Sequence, residues 1–435
     1  MPNPNALVDV PLAGLAVESA RADAGLETVS FAGGRSALLD RSRPESGAWR
    51  EVLASMGQAE QPIYTEIDPA TRVITALLIP LVVRVESLRT RPDGDVEVDL
   101  IISHGRHYLR RANPDFEEIL KLLEEARASG ATLAVTERLD GHDIIDARVA
   151  ANPKLAPSPM APEASPTQSA SVVTLAQARQ MFDLASGHTC CPAAPSSTCI
   201  PFAYPDDGCW GRAHEMCRLF IAAGIQPDKV WIYGNLYVVS QNKPDCNVYW
   251  GWHVAPTLQV NTGGIIQTYV IDPSLFPEPV PRATWASVQG DAAAQLAPSA
   301  ADVYHRSSGG VVSYDPTYTN TQSVLVTYRN NLRLRSAGPA GPPPYLNCMA
   351  PRAGVQWYGT IGPNVSGRWF TFGWPAAWHM IWSVMPLTAC PGIAQLTWTV
   401  QVERANATQA TYWITVRNLT ANTVRFEGRY DILRR

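Results

Sequence analysis

The sequence predicts an α+β protein of several domains that ends in an all-β domain. Runs typical of strands, such as RVITALLIPLVVRVESL and DVEVDLII, are interspersed with helix-like segments through the earlier part of the chain. The last stretch instead alternates apolar and polar residues, in QLTWTVQVE and TYWITVRNL, as half-buried strands do. With 435 residues, 46% of them hydrophobic, the chain is long enough for roughly two to four domains.

Composition and charge exclude several classes of function. The net charge of −4 is spread over a mildly acidic chain, whereas a nucleic-acid partner requires a clustered basic face. No run approaches the roughly 20 uninterrupted apolar residues that cross a bilayer. The first residues include acids and no basic region, so they do not form a secretory signal as written. Six of the eight cysteines lie between Cys190 and Cys246, which predicts disulfides and therefore a secreted or extracellular protein.

The N-terminal part of the chain is predicted to contain a leader and a small α+β domain. Residues 1–60 are rich in alanine, glycine and proline without a sustained period, which is typical of a partly ordered leader. Residues 61–151 are expected to form the α+β domain. Within it, PDFEEILKLLEEARASG has Pro114 at its start, acidic residues in its first turn and Gly130 beyond its end, which are helix signals. ATLAVTERL then predicts a closing strand.

A linker is predicted to divide this domain from the rest of the chain. Residues 152–172 contain NPKLAPSPMAPEASPTQSAS, which has almost no large apolar residue and cannot bury a core. Residues 173–335 form the predicted central domain, which begins with the helix TLAQARQMFDLAS. The run SAGPAGPPPY separates it from residues 348–435, which we expect to form an all-β sandwich with mostly buried tryptophans.

Cys209 lies where a helix is predicted to begin. In YPDDGCWGRAHEMCRLFIAAG, Asp206 or Asp207 can cap the helix, an apolar face follows, and Gly224 ends it. Unpaired backbone amides and the helix dipole favour a thiolate at such a position. The same amides, including that of Cys209, are candidates to stabilise an oxyanion.

Two strands further along the chain each carry one polar side chain. His253 lies among the tryptophans of VYWGWHVAPTLQV, and Asp272 ends the strand of TYVIDPSLF before a turn. A cysteine at a helix start, then a histidine within a strand, then an aspartate at a strand end follow one another in papain-like and transglutaminase-like cores. In such a triad the imidazole takes the thiol proton, and the carboxylate orients the imidazole and stabilises its cation.

Each of these residues also has a simpler explanation. Cys209 could form half of a disulfide, His253 could be a hydrogen-bonded core residue, and Asp272 could initiate a turn. However, the three occur in one chain order, and each has the local context that its role requires. This coincidence favours a catalytic triad with Cys209 as nucleophile, His253 as base and acid, and Asp272 as the orienting carboxylate.

The stretch from about Thr174 to Arg335 resembles the bacterial protein-glutaminase family. The matching blocks are CIPFAYPDDGCWGRAHEM, VWIYGNLY, WGWHVAP and YVIDPSLF, with similar spacing between them. The resemblance implies that Cys209, His253 and Asp272 are catalytic, in a secreted, disulfide-containing enzyme that releases ammonia from protein-bound glutamine. The stretch from ITALLIPLVVRVESL to ATLAVTERL resembles that family's pro-region, which folds over the active site and implies a zymogen. The C-terminal β domain has no counterpart in the family.

The remaining cysteines of this region allow two interpretations. Cys190, Cys191 and Cys199 lie close to His188 and could form a zinc site, but the spacing lacks paired C-x₂-C units. Disulfides within this loop, and from Cys246 to a neighbouring cysteine, are favoured instead.

The sequence as a whole therefore predicts a cysteine amidohydrolase that uses no metal and no organic cofactor. Its expected partners are proteins or peptides with exposed glutamine and its own N-terminal domain, with no nucleic acid and no membrane span. The same triad could serve a transglutaminase or a cysteine peptidase, because cleft shape and water access decide between them. A surface- or carbohydrate-binding protein with a Trp-rich β domain is the alternative from another class.

We also expect the N-terminal domain to inhibit the enzyme. It precedes the central domain, it is joined to it by the linker, and it resembles a pro-region. Residues 75–85, or the loop after them, are expected to lie across the entrance near Cys209 and His253.

Overall fold

The computed structural model describes residues 5–12, 25–152, 161–162, 170–345, 348, 353–376, 378–406 and 409–434. Most of the predicted linker, residues 153–160 and 163–169, therefore lies outside the described residues. The fold is mixed and mostly β, with 43% strand and 20% helix. It divides into two compact units, Met1–Cys348 and Met349–Arg435. No helix in the described ranges combines the length and apolar character needed to cross a bilayer.

The first part of the larger unit alternates strands with two helices. The elements are β1 Ala6–Asp9, β2 Leu26–Ser30, β3 Ser36–Asp40, α1 Ser46–Gln58, β4 Ile63–Ile67, β5 Ile74–Leu78, β6 Leu81–Thr90, β7 Val96–Leu100, β8 His107–Leu109, α2 Phe116–Ser129, β9 Thr132–Glu137 and β10 Ile144–Val149.

These elements form two separate sheets and a hairpin. Strands β1, β4 and β5 make a three-stranded antiparallel sheet, and β2 pairs with β3. Strand β1, within the predicted leader, thus pairs with β4 beyond residue 60. The second sheet has the order β10-β9-β6-β7-β8. Helix α2 covers it with buried residues that recur at helical spacing: Phe116, Ile119, Leu123 and Ala126. The helix predicted between Pro114 and Gly130 is confirmed, and Gly130 ends it with a φ of 73°.

The second part of the larger unit contains the predicted central domain. Its elements are β11 Ala161–Pro162, β12 Val172–Thr174, α3 Leu175–Ser186, α4 Cys209–Ala222, β13 Asp228–Val239, β14 Asn247–Asn261, β15 Ile266–Val270, β16 Val280–Pro281, α5 Arg282–Ser287, β17 Gln295–Ala300, β18 Val303–Arg306, β19 Val311–Tyr314 and α6 Thr319–Ala337.

One large sheet organises these elements. Its order is β16-β15-β14-β13-β17, and β12 runs parallel to β14. Helices α3 and α4 pack on the sheet through one apolar cluster, in which Met216 and Phe220 of α4 meet Leu258 and Val260 of β14. Long hydrophobic strands such as β14 can be buried in this way because helices cover one face of the sheet. The start of α4 therefore lies beside β14, the strand that carries His253.

Two disulfides join cysteines of the larger unit. Cys190 pairs with Cys199 within the loop after α3, and Cys246 pairs with Cys348. The expected disulfide within this loop is confirmed, whereas Cys246 pairs with a cysteine 102 positions further along the chain instead of a neighbouring one. Because Cys190 and Cys199 are oxidised, they offer no thiolates, and the zinc interpretation of this loop is wrong.

The smaller unit consists of two three-stranded antiparallel sheets. Its strands are β20 Ala353–Ile361, β21 Ser366–Pro375, β22 His379–Pro386, β23 Leu396–Glu403, β24 Gln409–Asn418 and β25 Val424–Arg434. The sheet orders are β20-β25-β22 and β21-β24-β23. Both sheets contribute to one apolar cluster, Ile414 and Val416 from β24, and Phe426 from β25 among them.

The tryptophans of the smaller unit are less buried than the sequence predicts. Only Trp382 is fully buried, whereas Trp398 has 39% of its surface exposed. The other five are half-buried: Trp357, Trp369, Trp374, Trp378 and Trp413. They do not form an exposed row of three or more, which would have favoured a ligand-binding face because contiguous exposed aromatic side chains usually mark an interaction site.

Candidate active site

Helix α4 begins at Cys209, immediately after a glycine in the left-handed region. Gly208 is the N-cap with a φ of 83°, and a Cβ atom there would lie 2.3 Å from Tyr328 Cδ2. Only glycine fits this turn, which presents Cys209 in the first turn of the helix. The predicted capping by Asp206 or Asp207 is wrong. No described side chain caps α4, because glycine holds that position, and Asp207 accepts a 2.9 Å hydrogen bond from the Gly208 amide instead.

Asp206 is fixed by a buried ion pair. Its carboxylate accepts a 2.7 Å hydrogen bond from Arg335 of α6, which also stacks over the Tyr204 ring at 4.1 Å. Lys243 approaches the same carboxylate to 3.7 Å. Burial alone would raise the pKa of Asp206, but Arg335 and Lys243 outweigh it and lower that pKa to about 2. The loop before Cys209 is thereby anchored to the last helix of the unit.

Replacing Arg335 by methionine should destabilise this unit. The change leaves the Asp206 carboxylate buried without its main partner, which typically costs about 3–5 kcal/mol. The Arg179→Met variant is the control, because the Arg179–Glu278 pair is exposed and should contribute about 0–1 kcal/mol. Urea unfolding at neutral pH measures both changes, and equal midpoints for the two variants would contradict the expectation.

The pH dependence of the same ion pair follows from the Asp206 pKa. That pKa is about 2 in the folded protein and 3.8 in the reference state, so the stabilisation is present above pH 3.8 and is lost as pH falls towards 2. In the Arg335→Met variant, the free energy of unfolding should fall less between about pH 4 and about pH 2 than it does in the unchanged protein, because the ion pair is already absent.

His253 is held between two tryptophans and hydrogen-bonded to Asp272. Its Nε2 atom lies 2.9 Å from Asp272 Oδ2, which also accepts a 2.9 Å hydrogen bond from Trp285 Nε1. Trp250 stacks on one face of the imidazole at 4.5 Å and Trp285 lies at 5.5 Å. Burial raises the pKa of Asp272, but the charge on His253 and the hydrogen bonds from His253 and Trp285 outweigh it, so that pKa lies below its usual value. The orientation of the ring is therefore fixed.

The fold brings the three predicted site residues together. The Cys209 sulfur and a ring nitrogen of His253 lie within 4.8 Å of each other, and Cys209 is a free thiol. With Nε2 committed to Asp272, His253 keeps Nδ1 buried and without a hydrogen-bond partner among the described residues. A thiol, an imidazole and a carboxylate thus follow one another in the order that nucleophile, base and orienting group require.

The thiol of Cys209 is protonated, although its position at the start of a helix favours the thiolate. Its side chain is buried, and this burial raises the pKa of the thiol well above its ordinary value, although Arg212 acts in the opposite direction. The helix N-terminus favours a thiolate, but the loss of water around the sulfur is the larger effect. A segment from the N-terminal part of the chain contributes to that burial, together with the central domain.

Residues 102–105, between β7 and β8, cover Cys209, and we name them the strap. The backbone of the strap is hydrogen-bonded to residues beside Cys209. His104 O accepts a 3.0 Å hydrogen bond from the Gly251 amide, and His104 N donates a 3.1 Å hydrogen bond to Asp207 Oδ1. A bridge between Gly105 and Trp250 extends this pairing. Ser103 Oγ donates to the other oxygen of Asp207 at 2.6 Å.

The imidazole of His104 contacts the predicted nucleophile directly. Its Nδ1 atom lies 3.1 Å from Cys209 Sγ and 3.0 Å from the carbonyl oxygen of Trp252. The ring stacks on Trp250 at 5.2 Å and lies 5.8 Å from the His253 ring. Burial is the main reason that the pKa of His104 lies well below its usual value, so the ring is neutral.

Sequence reasoning missed His104 and expected residues 75–85, or the loop after them, at this place. Part of that run is close, since Leu81 packs against the apolar cluster that contains Cys209. The residue that reaches the sulfur is His104, which lies further along the chain and two residues after Ile102, whose φ is 85°. The only local signal was a histidine and a glycine directly after an apolar strand, in LIISHGRH. Trp285 was missed as well, because nothing in its own segment indicates a hydrogen bond to Asp272.

Two groups among the described residues have ligand atoms close enough to share a metal ion. The first is Cys209 with His104 and His253, and the second is His107 with Glu137 and His142. In each group, the ligand atoms lie within 4.8 Å of one another. In the second group the histidines hydrogen-bond to the two oxygens of the Glu137 carboxylate.

Comparison with known proteins gives a consistent set of similarities. Residues 178–289 match the model of a family described as glutaminase. A crystal structure of protein-glutaminase and the NMR structure of protein-glutaminase from Chryseobacterium proteolyticum are each 34% identical to this chain, covering 36% of it and 88% of theirs, with a TM-score of 0.33. A crystal structure of pro-protein-glutaminase is 24% identical, covering 58% of this chain and 93% of its own, with a TM-score of 0.45. A search of curated proteins gave no match.

The sequence identity decides the assignment. It reaches 34% over 88% of the protein-glutaminase chain, and the matched segment includes the start of α4, strand β14 and the turn after β15. On this ground the chain belongs to the protein-glutaminase family.

Proposed function

We propose that this chain hydrolyses the side-chain amide of protein-bound glutamine, which yields glutamate and ammonia. The observation that carries the proposal is the arrangement of Cys209, His253 and Asp272, with the histidine held at 2.9 Å from the aspartate and its other nitrogen directed to no described partner. The names of the related structures, protein-glutaminase and pro-protein-glutaminase, support the choice of glutamine as substrate.

The proposed reaction proceeds in two steps through a thioester. The Cys209 thiol gives its proton to His253, and the sulfur attacks the amide carbon of glutamine. The C–N bond then breaks, and the proton on His253 leaves with the nitrogen as ammonia. In the second step His253 takes a proton from water, the hydroxide attacks the thioester carbon, and the C–S bond breaks to release glutamic acid and the Cys209 thiolate. The thiolate recovers the proton from His253, and the glutamic acid side chain gives its proton to the released ammonia, so that the final products are glutamate and ammonium. Atoms and charge balance without any further reactant.

Asp272 and the start of α4 have supporting roles in this proposal. The Asp272 carboxylate stabilises the His253 cation that forms in each step, and Trp285 fixes the carboxylate through the 2.9 Å hydrogen bond to Oδ2. The backbone amide of Cys209 belongs to the first turn of α4, where amides have no carbonyl partner within the helix. It is our candidate to stabilise the oxyanion.

The N-terminal part of the chain is proposed to hold the enzyme inactive. Support comes from the strap, because His104 lies 3.1 Å from Cys209 Sγ where a substrate amide would have to bind. We propose residues 61–151 as the inhibitory domain, residues 152–172 as the linker to be cut, and residues 173–335 as the catalytic domain of a secreted enzyme. One apolar core of the N-terminal part lies wholly within the proposed inhibitory domain, as expected for a unit that stays folded after cleavage, whereas the other core also contains Leu334 of α6.

Two finer points of the fold belong to the same proposal. The packing of α4 against β14 supports a papain/transglutaminase-like core in residues 173–335. The single apolar cluster shared by the two sheets of residues 353–434 supports a β-sandwich.

The test is mass spectrometry of a glutamine-containing protein after incubation with the linker-cleaved enzyme. Deamidation adds about 1 Da at each modified glutamine, since NH₂ is replaced by OH. We expect this mass change together with an equal amount of free ammonia. Cross-linked products would instead support a transglutaminase, and shortened chains would support a cysteine peptidase, so either result would contradict the proposal.

A further inference from the structure

Three metal-ligand atoms meet at the covered active site, and they come from both parts of the larger unit. Cys209 and His253 belong to the proposed catalytic domain, and His104 belongs to the strap. The three ligand atoms lie within 4.8 Å of one another, and His104 Nδ1 is 3.1 Å from the sulfur. All three side chains are buried. Nδ1 of His253 is one of the buried nitrogens that have no hydrogen-bond partner in the described part of the chain.

Each histidine has a carboxylate at its other nitrogen. His253 Nε2 is hydrogen-bonded to Asp272 Oδ2 at 2.9 Å, whereas His104 Nε2 lies 3.2 Å from Asp207 Oδ1 without a hydrogen bond between them. His253 is therefore oriented as metal-binding histidines usually are, because the carboxylate fixes the ring and makes the far nitrogen a better ligand. The Asp272 contact is accounted for by the proposed triad. The Asp207 contact is not, since His104 has no part in the chemistry.

The carboxylate of Asp207 is itself held in place. Ser103 Oγ and the Tyr328 hydroxyl each donate a 2.6 Å hydrogen bond to Oδ2. Oδ1 thereby remains oriented towards His104. A rigid outer shell of this kind is what a preorganised metal site requires.

We propose that the full-length chain binds one Zn²⁺ ion through Cys209 Sγ, a ring nitrogen of His253 and Nδ1 of His104. One sulfur and two imidazole nitrogens form a donor set that zinc prefers, with a water molecule as fourth ligand. Tetrahedral zinc places such ligand atoms about 3.4–3.6 Å apart. The 3.1 Å separation between His104 Nδ1 and the sulfur needs only a small adjustment to reach this value. The bond from His104 Nδ1 to zinc replaces its contact with the Trp252 carbonyl.

The ion would join the strap to the active site. Zinc binding deprotonates the Cys209 thiol and releases one proton, and the resulting thiolate is held by the metal instead of being free to attack. His253 is occupied at the same time. That the ion suppresses activity rests on the function proposed above, whereas the binding of the ion itself does not.

The test is metal binding by the intact full-length protein, with Co²⁺ as a spectroscopic substitute for Zn²⁺. Protein stripped with a chelator is titrated with each metal. The amount of metal bound per chain is then measured by elemental mass spectrometry. Cobalt–thiolate bonds are detected by their charge-transfer absorption in the near ultraviolet. The variants are His104→Ala and His104→Gln, with His379→Ala as matched control, because His379 is an exposed histidine of the smaller unit. Thermal unfolding of each variant verifies that it folds.

We expect one zinc ion per chain, a thiolate band with cobalt, and a loss of affinity of at least about tenfold in both His104 variants. His379→Ala should bind like the unchanged protein. The proposal is overturned if cobalt gives no thiolate band, or if folded His104→Gln binds zinc with unchanged affinity. Binding without a thiolate band would place the ion at His107, Glu137 and His142 instead. None of these results depends on deamidation, so a failure of the proposed function would be seen separately by mass spectrometry of substrate.

Discussion

Replacing Cys209 by alanine in the linker-cleaved protein should lower the rate of ammonia release by about a thousandfold or more. The residue supplies the sulfur of the proposed thioester, and this sulfur lies within 4.8 Å of a ring nitrogen of His253. Removal of a triad nucleophile typically costs several orders of magnitude in kcat, and only binding and oxyanion stabilisation remain. The linker-cleaved form is required, because the strap covers the thiol in the full-length chain.

The matched control for this change is Cys191→Ala. Cys191 is also a free cysteine, but it is exposed and belongs to the loop after α3. Its replacement should leave kcat and KM unchanged. Substitution of Cys209 by alanine removes only one atom from a buried position, so the fold should persist, and circular dichroism verifies this. A Cys209→Ala protein that still releases ammonia at an unchanged rate would show that the sulfur is not the nucleophile.

Cutting the linker should raise activity on a protein substrate by about tenfold or more. In the intact chain the strap is held beside the cleft at an effective concentration in the millimolar range, so even a weak contact keeps the site covered. Cleavage within residues 152–172 removes this advantage, and digestion of the released domain removes the strap itself. The measurement is the rate of ammonia release before and after limited proteolysis, with intact protein of the same preparation as reference.

The reactivity of the Cys209 thiol should change in parallel with activity. Burial raises the pKa of this thiol in the intact chain, so the thiol is protonated at neutral pH. When water enters the cleft this penalty falls, and the helix N-terminus then favours the thiolate. Alkylation of Cys209 by iodoacetamide at pH 7 should therefore be faster after cleavage. Equal alkylation and equal activity before and after cleavage would show that the strap does not guard the site.

His104→Gly separates the two possible roles of the N-terminal part. If the side chain of His104 blocks the sulfur, the uncleaved variant should gain part of the activity that cleavage gives. If the backbone pairing of the strap with Gly251 suffices, the variant should remain inactive until the linker is cut.

The three residues of the proposed triad could be identified from local patterns in the sequence. Cys209 could be placed at a helix start from the turn formers before it and the apolar face after it, both of which are local signals. His253 could be placed in a strand from a hydrophobic run interrupted by one polar residue, and Asp272 near the end of another, although β15 ends at Val270, two residues before it. The helix between Pro114 and Gly130 was predictable for the same reason, since its period and its end signals lie within the segment itself.

What covers the triad was decided only by tertiary structure. His104 precedes Cys209 by 105 positions, and no periodicity relates the two. The pairing of Gly105 with Trp250 likewise joins residues that are distant in the chain, as does the hydrogen bond from Trp285 to Asp272. Such contacts depend on how separate elements pack, so local propensity carries no information about them.

The protonation state of the Cys209 thiol also depends on one factor that the sequence shows and on one that only the tertiary structure shows. Helix position, which the sequence reveals, favours the Cys209 thiolate, but burial raises the pKa of the thiol above its ordinary value. Burial depends on which distant residues exclude water from the sulfur. The sequence therefore indicated which atoms can react, whereas the tertiary structure decided that the thiol of Cys209 is buried and protonated, because desolvation of a charge exceeds the effect of a helix dipole.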